Sequence, residues 1–569
     1  MHTPPNLNRR TVLAGSIANG MMITTGLCAQ TTDGPIFVPS NMKVTITTKG
    51  ATYTYPSGPK LPSYYVGFHQ DGNILFHLGA LGDLTKADNH PAPYNMGIYH
   101  VKIEKDGTVL LDVDIRSHWW NAEWTYRPAP FAIKKTPAQI VAENLMFPFG
   151  DIGAKVANVT APDYTPMGSS SITLYMPTTG ERADIGLLSD PSAHFMLTGN
   201  AGPMLAWAQC AASCPVHFRD ESTGKPISLL KYPKANCYPD SKSNQPWLAY
   251  GAPKTDGSGY LAFGGGWTPQ QAHYCEFGSY LAFLATHDTG FLEDLQYSAN
   301  FTTGICDAYI STDKMTLTYG ELRGMAWAFR NLFMVHTATK YAESLNILPV
   351  SCHPSSYWKT LLDNQLAHQI PCMTDPTNQT FRLFGGGNRF GPWQVDYMLE
   401  SVAFGILTGH SNWTDFWLWM LGNVIARTNG TSGYPPGYGV GYYMNRLPWK
   451  RDAQGKPMSG TFDFTAAPMD WAQSALYCMS VDPDGSPLSS AQIAKLKADP
   501  LNGGVAMSLN ESMMTTRSVL VMAAHLERMG LVKVKHMYPE LDTCIFNADR
   551  MVRSYGSVNP RASIILQKT

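Results

Sequence analysis

The stretch Thr179-Gly180-Glu181-Arg182-Ala183-Asp184-Ile185-Gly186 sets two carboxylates and a guanidinium between glycines, just ahead of an apolar run. A carboxylate in the first turn of a helix is held in its anionic form by the helix dipole, so Asp184 suits a base or nucleophile better than an acid. Glu181 and Arg182 would then touch substrate. The plainer reading has Asp184 capping the helix and Arg182 pairing an acid. Trp393-Gln394-Val395-Asp396-Tyr397 is the second such group, with Glu400 four residues beyond Asp396. That spacing puts both carboxyls on one helix face. Partial burial beside Trp393 and Tyr397 would raise an acid's pKa, as a proton donor requires. The plainer reading here is another carboxylate at a helix start.

His273-Tyr274-Cys275-Glu276 offers a histidine and a glutamate three residues apart, a spacing that can share a metal ion. No third ligand stands nearby, so neither a metal nor a cofactor is expected. His273 then reads as a base or a substrate contact, with Glu276 beside it. His217-Phe218-Arg219-Asp220-Glu221 reads first as a loop ion pair, and second as a place where Arg219 and Asp220 touch substrate. Trp119-Trp120-Asn121-Ala122-Glu123-Trp124 reads as packing between domains or as an aromatic platform.

The elements that must position these groups change texture along the chain. From about 41 to 134 the pattern is β-like. Lys43–Thr48 alternates, and Tyr99–Glu104, Asp106-Gly107 and Val109–Ile115 read as a hairpin. Asp71-Gly72-Asn73 marks another turn. From about 178 onward, apolar residues recur at helical spacing, as in Leu322, Met325, Ala326, Phe329, Leu332 and Phe333. Helices are expected near 202–212, 271–286, 291–303, 355–370, 395–407, 416–425, 469–480, 519–526 and 541–554. An internal echo links ADIGLLSDPSAHFMLTGN, AHYCEFGSYLAFLATHD and VDYMLESVAFGILTGHS. Each opens on a polar group (Asp184, His273, Asp396), runs through apolar turns, closes on a threonine and is followed by a second helix. Repeated helical hairpins bury their faces only against neighbours, so they stack or close into a ring. On that equivalence Asp184, His273 and Asp396 would converge on one rim.

Composition narrows the partners. A formal net charge of −1 argues against nucleic acid, which demands a basic surface. Charged residues are only 15% of the chain and aromatics 11%, a balance that suits sugar recognition as well as an ordinary core. There is no P-loop, no dinucleotide fingerprint and no G-x-S-x-G elbow, so phosphoryl transfer and serine-hydrolase chemistry are poor fits. No C-x-x-C pair exists, and buried free thiols are expected, with Cys210–Cys214 and Cys352–Cys372 the conceivable bridges.

Asn8-Arg9-Arg10-Thr11-Val12-Leu13-Ala14, the weak apolar stretch to Leu27 and Leu27-Cys28-Ala29 resemble a twin-arginine export signal. That resemblance implies a leader over 1–29, a periplasmic or secreted protein, and no integral membrane segment once the leader is removed. With it, the β-rich front and the helical hairpins with Gly/Trp loops (Gly264-Gly265-Gly266-Trp267; Gly385-Gly386-Gly387 reaching Trp393) resemble the helical-toroid carbohydrate-active enzymes over about 178–555. The resemblance rests on architecture and matches no family motif for motif. It implies an α+β chain, with a sandwich-like β region over 35–177, an (α/α)n toroid, six-fold by preference, over 178–555, and a tail over 556–569. The activity implied first is glycoside hydrolysis by a carboxylate pair, Asp184 and Asp396, with Glu400 and Tyr397 beside them. Trp267 and Trp393 would stack on sugar rings, while Arg182 and His273 hold hydroxyls. The second is elimination on a uronate by Arg182, His273 and Tyr397, and the third is glycan binding without turnover.

Overall fold

The computed structural model describes residues 41–566 apart from 62–63, 70–71, 79–97, 117, 119–120, 153–154, 157–158, 160–163, 169–185, 215, 221–222, 232–277, 306–309, 312–315, 318–321, 383–388, 433–443, 456, 479–489, 492–493, 495–497, 499–509, 554–556 and 559. Antiparallel sheets come first and a helix-rich region follows, so the chain is α+β.

Strands β1 (Met42–Thr48), β2 (Ala51–Tyr55), β3 (Tyr64–Phe68), β4 (Ile74–Leu78), β5 (Tyr99–Lys105), β6 (Thr108–Ile115) and β7 (Ala122–Tyr126) make two sheets. Their orders are β2-β1-β5-β6 and β3-β4-β7, with antiparallel pairing throughout. The β5–β6 hairpin turns at Asp106 and Gly107, both at positive φ, as a two-residue hairpin requires. Val44, Ile46, Val101 and Ile103 from the first sheet and Val66, Ile74, Phe76 and Trp124 from the second share one apolar core. Phe76 stacks on Trp124 at 3.9 Å. Trp124 therefore belongs to the interior of the β region; Trp119 and Trp120 lie outside the described residues.

Inside that core the Trp124 indole N–H donates to the Tyr99 hydroxyl at 2.8 Å, and Tyr99 meets His118 Nδ1 at 2.8 Å. His118 Nε2–H donates to the Ala122 carbonyl at 2.8 Å, so the ring is satisfied as neutral imidazole. Burial pushes its pKa down to about 3.

The second sheet has a different opposite face. Side chains alternate along a strand, so Tyr65, His77 and Glu123 point away from the shared core, and they stand directly across from one another in register. A Cβ on Gly67, next on the same face, would lie 2.8 Å from the Tyr65 ring, so the glycine leaves room for that ring.

The helices are α1 (Pro137–Ala142), α2 (Asp190–Thr198), α3 (Gly202–Ala211), α4 (Ser279–Thr286), α5 (Thr289–Asn300), α6 (Leu322–Ser344), α7 (Ser355–Gln369), α8 (Pro392–Leu407), α9 (Thr414–Thr428), α10 (Trp471–Cys478), α11 (Asn510–Arg528), α12 (Val534–Met537) and α13 (Leu541–Arg553). Helix α4 packs on α6, α6 on α8 and α8 on α11, while α3, α5, α7 and α9 pack as the second members of hairpins. The echoed segments end alike: Thr198, Thr286 and Thr408 each donate a side-chain hydrogen bond to the carbonyl four residues earlier. Their beginnings differ. Helix α2 starts at Asp190 and α4 at Ser279, after Asp184 and His273, whereas Asp396 lies one turn inside α8. The reading of Asp396 as a helix-start carboxylate is thus corrected.

No described helix is long and apolar enough to cross a membrane. Cys210, Cys214, Cys352, Cys372 and Cys544 take part in no disulfide, so neither conceivable bridge forms.

The unfolded chain protonates His118 near pH 6.5 while the folded chain resists until about pH 3, so stability is lost as pH falls through that window. Urea unfolding from about pH 7 to about pH 5 should cost roughly 2 kcal/mol from this residue. His118→Gln should show a correspondingly flatter pH dependence, and an unchanged slope would refute the assignment.

Candidate functional site

Two polar groups stand out among the buried residues, one within the helices and one between sheet and helix.

The first lies along α6 and α8. Asp396 is fully buried and accepts hydrogen bonds from Arg427 and from Thr516, the latter at 2.6 Å. Burial pushes its pKa up to about 6, with Arg427 and Thr516 pulling the other way. An acid enclosed by an arginine and a threonine is an ion-pair partner, and that is the role its contacts give Asp396. One turn on, Glu400 is also buried. Burial, followed by the neighbouring Asp396 charge, drives its pKa well above the usual carboxylate range. The Leu187 backbone and the charges of Arg330 and Arg561 pull it back in part. Glu400 Oε2 has no hydrogen-bond partner among the described residues. Arg330 donates to the carbonyl of Gly186, so Gly186 meets α6.

At the start of α8, Trp393 is almost fully enclosed, with the Arg323 guanidinium 5.6 Å from its ring centroid and Tyr397 against its edge at 5.8 Å. Tyr397 also faces Trp327 at 6.1 Å. Trp393 therefore presents one face to a cation rather than an open platform. Glu181, Arg182, Asp184, Trp267, His273 and Glu276 lie outside the described residues.

The second group gathers on the outward row of the second sheet. Glu123 Oε1 accepts from Arg219 Nη2 at 2.8 Å and lies 3.1 Å from His77 Nδ1. Ala212 and His217 flank β7, with Glu123 N–H donating to the Ala212 carbonyl and His217 N–H to that of Asn121. Helix α5 supplies Glu293, Asp294 and Tyr297. His217 Nε2 lies 3.2 Å from Asp294 Oδ1, and His69 Nε2 lies 3.7 Å from Glu293 Oε2. The Arg219 guanidinium sits 5.1 Å from the Tyr65 ring and 5.0 Å from the Tyr297 ring. Arg219 was expected to pair within its own loop; its acid is Glu123, on another element. Asp220 instead shapes a tight turn, its N–H donating to the Lys225 carbonyl and its own carbonyl accepting from Gly224.

The electrostatics follow from enclosure. Burial alone would raise Glu123, but the charges of Arg219 and His217 and the His77 hydrogen bond hold it well below the usual range. Burial also raises Glu293 and Asp294, and nearby cations offset only part of that rise. Among the described residues, Glu123, His217 and Asp294 each offer one donor atom within 4.8 Å of the other two. Sequence reasoning missed this cluster because its members come from β7, a loop and a helix. Two of its segments, 119–124 and 217–221, were singled out in the sequence, but nothing there joined them to each other or to α5.

Comparison of the chain with protein-family models, with curated proteins and with solved structures finds no match in any of the three.

If Asp396 serves chiefly to neutralise Arg427, Asp396→Asn leaves a buried guanidinium uncompensated. Denaturant unfolding should then show a loss of about 3 kcal/mol. A variant as stable as the parent would contradict this role.

Proposed function

We propose that the chain is an exported hydrolase of glycosidic bonds, in which Glu400 is the proton donor. The observation that carries the reading is the state of Glu400: a buried carboxyl raised well above its usual range, with one oxygen unpartnered among the described residues. A carboxyl that keeps its proton at neutral pH can deliver it to a departing glycosidic oxygen.

The second carboxylate in this proposal is Asp184, two residues before Gly186. Arg330 holds the Gly186 carbonyl, and the Leu187 backbone bonds Glu400, so the residues that follow Asp184 in the chain lie beside α6 and α8 from Gly186 on. Asp184 would attack the anomeric carbon or activate water. Asp396, in its ion pair, keeps negative charge beside Glu400 and so favours the protonated donor.

The wider architecture in this reading is a closed ring of helix pairs behind the β region. It is supported by the packing series α4, α6, α8 and α11, and by the turn Pro560–Ala562, which touches both α11 and α2. Hydrolysis is preferred to elimination because it needs a carboxyl that holds its proton, which Glu400 supplies.

The test is a glycan panel, with neutral and uronate-containing polymers, read by new reducing ends and by unsaturated-uronate absorbance. Hydrolysis should yield reducing ends without that absorbance. Glu400→Gln should lower kcat by about 10²- to 10⁴-fold with the fold intact by circular dichroism. Full activity in Glu400→Gln, or growth of the ultraviolet band, would overturn the reading.

A further inference from the structure

We infer that Glu123, His217 and Asp294 form a binding site for one divalent transition-metal ion, of the kind Zn²⁺ represents, joining the second sheet to α5. The site is separate from Glu400 and makes no use of its chemistry.

The first observation is the orientation of His217. Its Nδ1 lies 3.0 Å from the Cys214 carbonyl, which has no proton to give, so Nδ1 carries the hydrogen and donates it. Nε2 is then a bare lone pair whenever the ring is neutral; burial opposes a charge on the ring, while Glu123 and Asp294 outweigh it and raise the pKa of His217. That lone pair faces Asp294 Oδ1 at 3.2 Å and Glu123 Oε2 at 4.0 Å, two further acceptors. Acceptors meeting in this way require something positive among them, either a proton on Nε2 or a metal ion. A backbone carbonyl orienting the far nitrogen is also the usual support for a metal-binding histidine.

The second observation is independent of the first. Glu123 is fully enclosed, and its Oε1 accepts from Arg219 and lies 3.1 Å from His77 Nδ1, whereas Oε2 has no hydrogen-bond partner among the described residues. An enclosed carboxylate oxygen without a donor is costly, and this one is turned toward His217 Nε2.

Geometry fits an ion. Nitrogen and oxygen ligands bind Zn²⁺ at about 2.0–2.2 Å, so two ligands of one ion stand at most about 4.4 Å apart. Both distances from His217 Nε2 fall inside that limit, and the widest separation in the trio, within 4.8 Å, needs a shift of only a few tenths of an ångström. The charge balance points the same way. Glu123 and Glu293 share the Arg219 guanidinium, and the nearest arginine charge to Asp294 is Arg127, which is already paired with Asp288. The competing arrangement places a proton on His217 and no metal.

Chelator-treated protein titrated with Co²⁺ separates the two. A site of this composition should give visible ligand-field absorption saturating at one Co²⁺ per chain and displaced by Zn²⁺. Zn²⁺ at a hundredfold excess over its Kd should lower the unfolding constant about 100-fold. Asp294→Asn, isosteric and tied in the cluster mainly to His217, should weaken Co²⁺ binding about 100-fold or more, and Glu123→Gln should do the same. Glu400→Gln should leave Co²⁺ binding unchanged, so the metal site and the hydrolase reading stand or fall separately. A parent protein giving neither absorption nor stabilisation, or an Asp294→Asn variant binding as tightly as the parent, would overturn the inference.

Discussion

A carboxylate removed from water must find its compensation inside the protein, and Glu123 finds it in a guanidinium 96 positions along the chain. Arg219 in turn is enclosed by two tyrosine rings, one from the sheet and one from α5. Neither charge is tolerable alone at this depth, so the β region and the helix-rich region are held in one arrangement wherever the pair forms. Asp288 makes a similar tie nearby. It caps α5 by accepting from Gly290 N–H, and it also accepts from Arg127 and Asn73 of the β region.

This arrangement depends on the two faces of a single sheet. On strands β3, β4 and β7, alternate residues fill the core shared with the first sheet, and the residues between them carry a phenol, an imidazole and a carboxylate in one row. A strand enclosed on both sides ordinarily carries apolar groups on both. Here one side is polar and still enclosed, so each of its groups needs a partner from the opposing loop and helix. Glu123 meets Arg219, while Glu123 Oε2 and His77 Nδ1 both lack a hydrogen bond among the described residues.

The sequence disclosed what is local. The β5–β6 hairpin follows from alternation around Asp106-Gly107, and the helices follow from apolar spacing. The three threonine-ended segments share a capping bond that the echo foreshadowed. Glu400 was legible because four residues separate it from Asp396, a helical distance. Contacts that span the chain stayed hidden. Arg219 has Asp220 and Glu221 as neighbours in sequence, yet its partner comes from β7. Asp294 sits in an α5 sequence whose spacing reads as an ordinary amphipathic helix. Asp396 was read as a catalytic carboxyl or, more plainly, a helix-start acid; α8 begins four residues earlier, and the ion-pair partner of Asp396, Arg427, comes from α9, which sequence spacing does not bring to it.

The central claim is that Glu123 and Arg219 are held in place by each other's charge, and a double-mutant cycle on stability tests it most directly. Glu123→Gln and Arg219→Met should each cost about 3 kcal/mol or more, because each strands a buried charge, while the double variant should lose at least about 2 kcal/mol less than the sum. Strictly additive losses, or singles as stable as the parent, would contradict it.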